Sequence, residues 1–166
     1  MQQNMNKSAM INGLIIGAML SLKFLLSSFN NSTLSIIGFF ISVSIVFALY
    51  KFATNYRDKV NEGFIKYSQA FVYIFQMYLY GSVVMSLVVL IYTSFNQEFL
   101  SSMLNQILTM YDKFNIPIED EAVSFLESIY KPAPFALFNL FSSTIGAAFW
   151  GLILAAFVKK EKSIFE

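Results

Sequence analysis

At 166 residues, of which 57% are hydrophobic, 17% aromatic and only 13% charged, the chain is too apolar for a water-soluble domain of its size, and a mean hydropathy of +0.60 agrees. A net charge of +1 excludes a strong global pull on nucleic acid or acidic partners, so any electrostatic signal lies in where the charges fall. Without Cys or His there is no disulfide and no thiol chemistry, and both the commonest metal ligand and the usual near-neutral proton shuttle are missing, which removes many enzyme mechanisms.

The polar, weakly basic start, Met1 to Lys7, leads into a first apolar stretch over 8–28. It is too long for a signal-peptide core and no A-x-A-like cleavage site follows, so it reads as an uncleaved anchor, with the mature chain expected to start near Met1. A hydrocarbon core of roughly 30 Å takes about 20 mostly apolar helical residues to cross. Four stretches meet that need: 8–28, 33–53, 67–94 and 135–158. The second is the clearest, with Phe39, Phe40, Val46 and Phe47 and no charge before Lys51; the third is long enough to tilt or to project beyond the bilayer. Apolar residues surround each stretch instead of forming one stripe, as expected where lipid lies on one side and protein on the other.

Asn30-Asn31-Ser32 leaves room only for a tight turn, which makes the first two spans antiparallel, and Ser32 is the expected N-cap of the second. The sequon in these letters reads as turn chemistry beside the membrane. The remaining large element is the 96–134 insertion. Phe99, Leu100, Met103, Leu104, Ile107, Leu108 and Tyr111 recur there at helical spacing and predict an amphipathic helix able to continue the third span. Asn115-Ile116-Pro117 breaks it, Glu119, Asp120 and Glu121 suit the start of a second short helix, and Pro132 and Pro134 end that helix. Its apolar stripe has two readings, burial on lipid or on its own partner helix, and docking of another protein.

Orientation follows from the short loops. Lys7, Lys51, Arg57, Lys59, Lys66, Lys159, Lys160 and Lys162 fall on one side, against Lys113 and Lys131 on the other, where Glu98, Asp112, Glu119, Asp120, Glu121 and Glu127 also lie. The N-terminus, the middle loop and the C-terminus are therefore expected in the cytoplasm. Tyr50, Tyr56, Phe64, Tyr67, Tyr92 and Phe95 flank the spans as aromatic belts do.

Lys23 is the one ionisable side chain inside a span, about five residues or roughly 8 Å from its outer end at 1.5 Å per residue. It either snorkels to the headgroups or faces the bundle and donates to Asn139, at similar depth in the fourth span. Gln76, near mid-membrane, has Ser42 and Ser44 as candidate partners for interhelical hydrogen bonds. Gly13 and Gly17, extended by Ser21, form a GxxxG face on the first helix; Gly146, Ala147, Gly151 and Ala155 form a second small-residue face on the fourth. These faces are expected to pack on each other or on a partner. No phosphate-binding glycine loop, nucleophile beside a base, metal cluster or cofactor motif occurs, and Tyr56, Arg57, Asp58 and Lys59 read as a positive-inside anchor at the headgroups or as a patch that binds a lipid headgroup or a substrate. No carboxylate lies in a span, which argues against ion-coupled transport of the usual acidic kind.

Asn12-Gly13-Leu14-Ile15, Tyr56-Arg57 followed by Gly63-Phe64-Ile65-Lys66-Tyr67, and Gln69-Ala70-Phe71 carry a further signal. Through them the chain resembles the small four-helix membrane proteins of Gram-negative bacteria in the domain of unknown function 4199 family, over nearly its whole length. The resemblance implies an inner-membrane location and brings no active site, because that family has no assigned reaction.

The expected fold is all-α and polytopic: one membrane domain over 1–166, its four transmembrane helices in an antiparallel bundle, with an extracytoplasmic helical hairpin between the third and fourth. The expected role is a non-catalytic subunit or assembly component in contact with membrane lipid and with its own copies or other inner-membrane proteins. From other classes come a small transport or lipid-handling protein acting as an oligomer, and, by analogy alone, an accessory anchor for an enzyme of lipid-linked sugars.

Overall fold

A computed structural model describes residues 2–29 and 31–161; Met1, Asn30 and Lys162 lie outside the described residues. The chain is all-α, with α1 Gln2–Ser28, α2 Ser32–Lys59, α3 Tyr67–Phe95, α4 Gln97–Lys113, α5 Asp120–Ile129 and α6 Pro132–Val158. By length and composition α1 from Asn4, α2, α3 and α6 can each cross a membrane, and these four helices are packed together. They mark the chain as an integral membrane protein.

The helices run past the limits expected from hydropathy, for local reasons. α2 continues beyond residue 53 to Lys59 because no helix breaker occurs before Gly63, and because Ala53 and Tyr56 are buried in the core. Asn31, not Ser32, is its N-cap: in an extended conformation, its side-chain oxygen accepts from the backbone N–H of Thr33 at 2.9 Å and of Leu34 at 3.4 Å. α3 opens with half of a capping box, the Gln69 side chain accepting from the Lys66 N–H at 3.3 Å. α4 is set off from α3 by Asn96 alone, whose side-chain amide donates to Tyr92 O at 3.0 Å. Pro132 and Pro134 belong to the first turn of α6 instead of lying between helices, because a proline near a helix start has no lost hydrogen bond to replace and already holds helical φ.

The fold divides into two compact units, Met1–Met85 with Ser142–Glu166, and Ser86–Phe141. In the first, Ile16, Leu20, Leu49, Tyr73, Ile74, Met77 and Leu154 form a continuous core, whereas Phe39, Phe40, Phe47, Ile145 and Phe157 point outward. Outward aromatic and aliphatic surface on this scale is at home in hydrocarbon, not in water. Three hydroxyls in the spans bond back to their own helices: Ser21 donates to Gly17 O at 2.7 Å, Ser42 to Gly38 O at 3.0 Å and Ser44 to Phe40 O at 2.9 Å. Each of these three hydroxyls is thereby satisfied without water.

In the second unit Leu100 is the buried residue of α4, and Phe99 meets Tyr92 and Phe135 edge-to-face, with centroids at 5.6 and 6.5 Å. Ser86 donates to Ala136 O at 2.8 Å. α4 ends where Asn115 takes a left-handed φ of 50° and Ile116 N–H returns to Tyr111 O at 3.0 Å, so the expected break at 115–117 is a backbone turn stabilised by its own hydrogen bond.

Candidate functional site

The glycines of the small-residue faces on the first and fourth helices, faces expected to pack on each other or on a partner, have α3 as their neighbour. A methyl group built on Gly13 would meet Met77 O and Tyr80 Cβ at 2.8 Å, and one built on Gly17 would meet Val84 Cβ at 2.8 Å and Gly81 O at 2.9 Å. Gly81 supplies the reason: it opens a slot in α3 into which the α1 backbone fits. Gly151 of α6 takes the Phe71 ring, to which an added methyl would come within 3.1 Å, whereas Gly146 has Tyr78 Oη as its nearest neighbour at 3.8 Å. Ala147 and Ala155 are fully buried.

The polar side chains singled out inside the spans have local partners or none. Ser42 and Ser44 bond their own helix, and the Gln76 Oε1 is buried without a hydrogen-bond partner. Lys23 belongs to the first unit, and its stem lies near Gly38; Asn139 belongs to the second, and its amide donates to Phe135 O at 3.0 Å one turn back in α6.

The densest polar arrangement lies where α1 starts, α2 and α6 end and α3 begins. Tyr73, fully buried in α3, stacks on Tyr56 of α2 with ring centroids 4.3 Å apart and planes 15° from parallel. Its hydroxyl accepts from the Asn12 amide at 2.8 Å and lies 2.9 Å from Ser8 Oγ, so three helices share one polar knot. Arg57 grips Asp58 through two bonds, at 2.7 and 3.1 Å, and its remaining nitrogen donates to Val158 O at 2.9 Å. The last carbonyls of α6 thereby gain a cation, the sign that a helix C-terminus favours.

Beyond the helix ends, Ile65 and Lys160 exchange backbone hydrogen bonds of 2.8 and 2.9 Å as an isolated antiparallel bridge, and Lys160 Nζ lies 5.5 Å from the Phe64 ring centroid. Two adjoining cavities open there. One of about 360 Å³ is walled by Met5, Tyr56, Ile65 and Val72; the other, of about 640 Å³, is rimmed by Glu62, Lys66, Lys160 and Glu161; Asn61, Ile65 and Gln69 line both. Among the described residues no group of three or more acidic side chains comes together to hold a metal ion.

Asn12, Tyr56, Arg57, Ile65, Lys66 and Gln69, which together come from all four of the motifs that carried the resemblance, meet at this one end of the first unit. The model of the family described as "Protein of unknown function (DUF4199)" matches residues 11–160. The chain belongs to this family. No curated protein and no solved structure matches it. In this DUF4199 chain, then, these six motif residues tie helix ends together. Tyr73 and Gly81 complete that tie and are not evident from sequence reading: Tyr73 is one of many aromatics in α3, and the signal for Gly81 is that it is the sole glycine of a 29-residue helix.

Proposed function

We propose that this DUF4199 chain is a non-catalytic subunit of the inner membrane that assembles with its own copies or with other membrane proteins. In this reading the N-terminus, the loop after α2 and the C-terminus face the cytoplasm, and α4 and α5 form an acidic hairpin on the other side. The observation that carries it is the way α1 and α6 close on α3 through Gly13, Gly17, Gly81 and Gly151 while the hydroxyls of Ser21, Ser42 and Ser44 bond within their own helices. An arrangement of that kind supplies rigid faces and leaves little intramembrane polarity for moving a solute.

The assembly surface in this reading is the second unit, whose 96–134 segment carries six acids against two lysines and exposes Met110, Phe114, Ile116 and Phe125. Purification in mild detergent, with crosslinking and identification of what stays bound, tests it. A stoichiometric complex, with itself or with another membrane protein, is the expected result; recovery of a lone monomer overturns it.

A further inference from the structure

The connector between α2 and α3 is built to a fixed shape. Glu62 sits at φ 58° and Gly63 at φ 84°, both in the left-handed region. A side chain such as that of Glu62 is strained there, and the conformation persists only where its surroundings over-determine the backbone. They do so here: Asn61 donates to Phe64 O, Gly63 N–H to Arg57 O at 2.9 Å, and Ile65 is clamped to Lys160. The strained turn thus holds the wall shared by the two cavities.

These cavities differ in chemistry. The smaller is lined by Met5, Tyr56, Ile65 and Val72 together with Asn61, Ser68 and Gln69, and the larger by two cationic side chains, Lys66 and Lys160, and two carboxylates, Glu62 and Glu161. Both open where candidate spans end, at Lys59, Tyr67 and Val158, the level at which phosphates and glycerol esters lie in a leaflet. A rim bearing both signs in equal number suits a zwitterion better than a net anion, which would gain two cations but meet two like charges.

We propose that the paired cavity binds the headgroup of an aminophospholipid, its phosphodiester toward Lys66 and Lys160, its ammonium toward Glu161 and Glu62, and its glycerol in the smaller cavity beside Tyr56 and Ile65. The backbone bridge and the Phe64 ring hold Lys160 in place, and the Gln69 cap fixes the backbone at Lys66. Assembly with protein partners is a separate question, so a failed complex does not bear on this site.

The test is native mass spectrometry of the full-length purified chain from nanodiscs holding equal amounts of phosphatidylethanolamine and phosphatidylglycerol, repeated with soluble glycerophosphoethanolamine. Retention of phosphatidylethanolamine several-fold over phosphatidylglycerol is expected, falling about tenfold in the Lys66→Gln/Lys160→Gln variant through loss of two charge-assisted contacts. A Lys113→Gln control and an unchanged melting temperature separate loss of binding from loss of fold. Equal retention of both lipids, or undiminished retention in the double lysine variant, overturns the proposal. Binding of the soluble headgroup as tight as that of the lipid overturns the lipid as source and leaves a phosphate-amine site for a soluble ligand.

Discussion

Gly81 of α3 and Gly17 of α1 touch backbone to backbone: a methyl group built on Gly81 would lie 3.0 Å from Gly17 N, and one built on Gly17 would lie 3.1 Å from Gly81 Cα. Side-chain ends can swing away from an added methyl, but backbone cannot. Gly13→Ala, Gly17→Ala and Gly81→Ala should therefore each lower stability by about 1–3 kcal/mol, the usual range for overpacking. Gly38→Ala and Gly146→Ala, whose added methyls would meet Ser27 Oγ at 3.4 Å and Tyr78 Oη at 3.8 Å, should be neutral or mildly stabilising. Melting followed by fluorescence-detected size exclusion in detergent separates the two groups.

Tyr73 joins the helices in two ways, through its ring on Tyr56 and its hydroxyl near Asn12 and Ser8. Tyr73→Phe removes only the second and should cost about 0.6 kcal/mol, the average for interhelical hydrogen bonds in membranes. Tyr73→Ala loses the ring as well and should cost about 3–5 kcal/mol. A double-mutant cycle of Tyr73→Phe with Asn12→Leu checks the assignment, with a coupling close to the single hydrogen-bond value expected.

Gln76 gives the opposite sign. Its buried Oε1 has no partner, so Gln76→Leu removes a desolvated acceptor while keeping much of the side-chain volume. The variant should be neutral or more stable by up to about 1 kcal/mol. A clear fall in melting temperature would restore Gln76 as interhelical glue.

Arg57 reaches from the end of α2 to the last carbonyl of α6, next to the bridge between Ile65 and Lys160. Arg57→Ala should cost no more than about 1–2 kcal/mol, because the Asp58 end of the pair is exposed and adds little, whereas the half-buried Arg57 also loses its bond to Val158 O. It should nonetheless speed hydrogen exchange at the Ile65 and Lys160 amides, since the chain end they clamp loses its second tether. Arg57→Lys should resemble alanine here, as an ammonium cannot hold Asp58 and Val158 O in one planar fork.

Hydropathy made the four long helices legible, because crossing a membrane leaves a composition signal that no packing detail can erase, and helical spacing with its breakers did the same for the two short ones. Helix ends were less legible: Asn31 and Ser32 are both good caps by residue type, and only the turn geometry chooses Asn31. The glycines on α1 and α6 stood out, but not their common partner, since a lone Gly81 has no repeat to betray it. The knot around Tyr73 draws on residues 61 and 65 positions apart, a pairing that periodicity along one helix cannot express.

The lysine and arginine distribution makes the last prediction, and the absence of any cysteine makes it clean to measure. Single replacements Lys59→Cys and Ile116→Cys lie beside the two kinds of loop, and the exposure of both positions lets a maleimide reach them. In spheroplasts a membrane-impermeant maleimide should label Ile116→Cys at once and Lys59→Cys only after lysis. The reason is that Arg57, Lys59 and Lys66 cluster on one side, whereas the loop with Glu119, Asp120 and Glu121 carries few cations. Cationic loops are retained in the cytoplasm and acidic ones contribute little to orientation, so the sign of the asymmetry fixes which position labels first. Simultaneous labelling of both before lysis would mean that residues 67–95 do not separate them across a bilayer, and the membrane crossing assigned to α3 would fall.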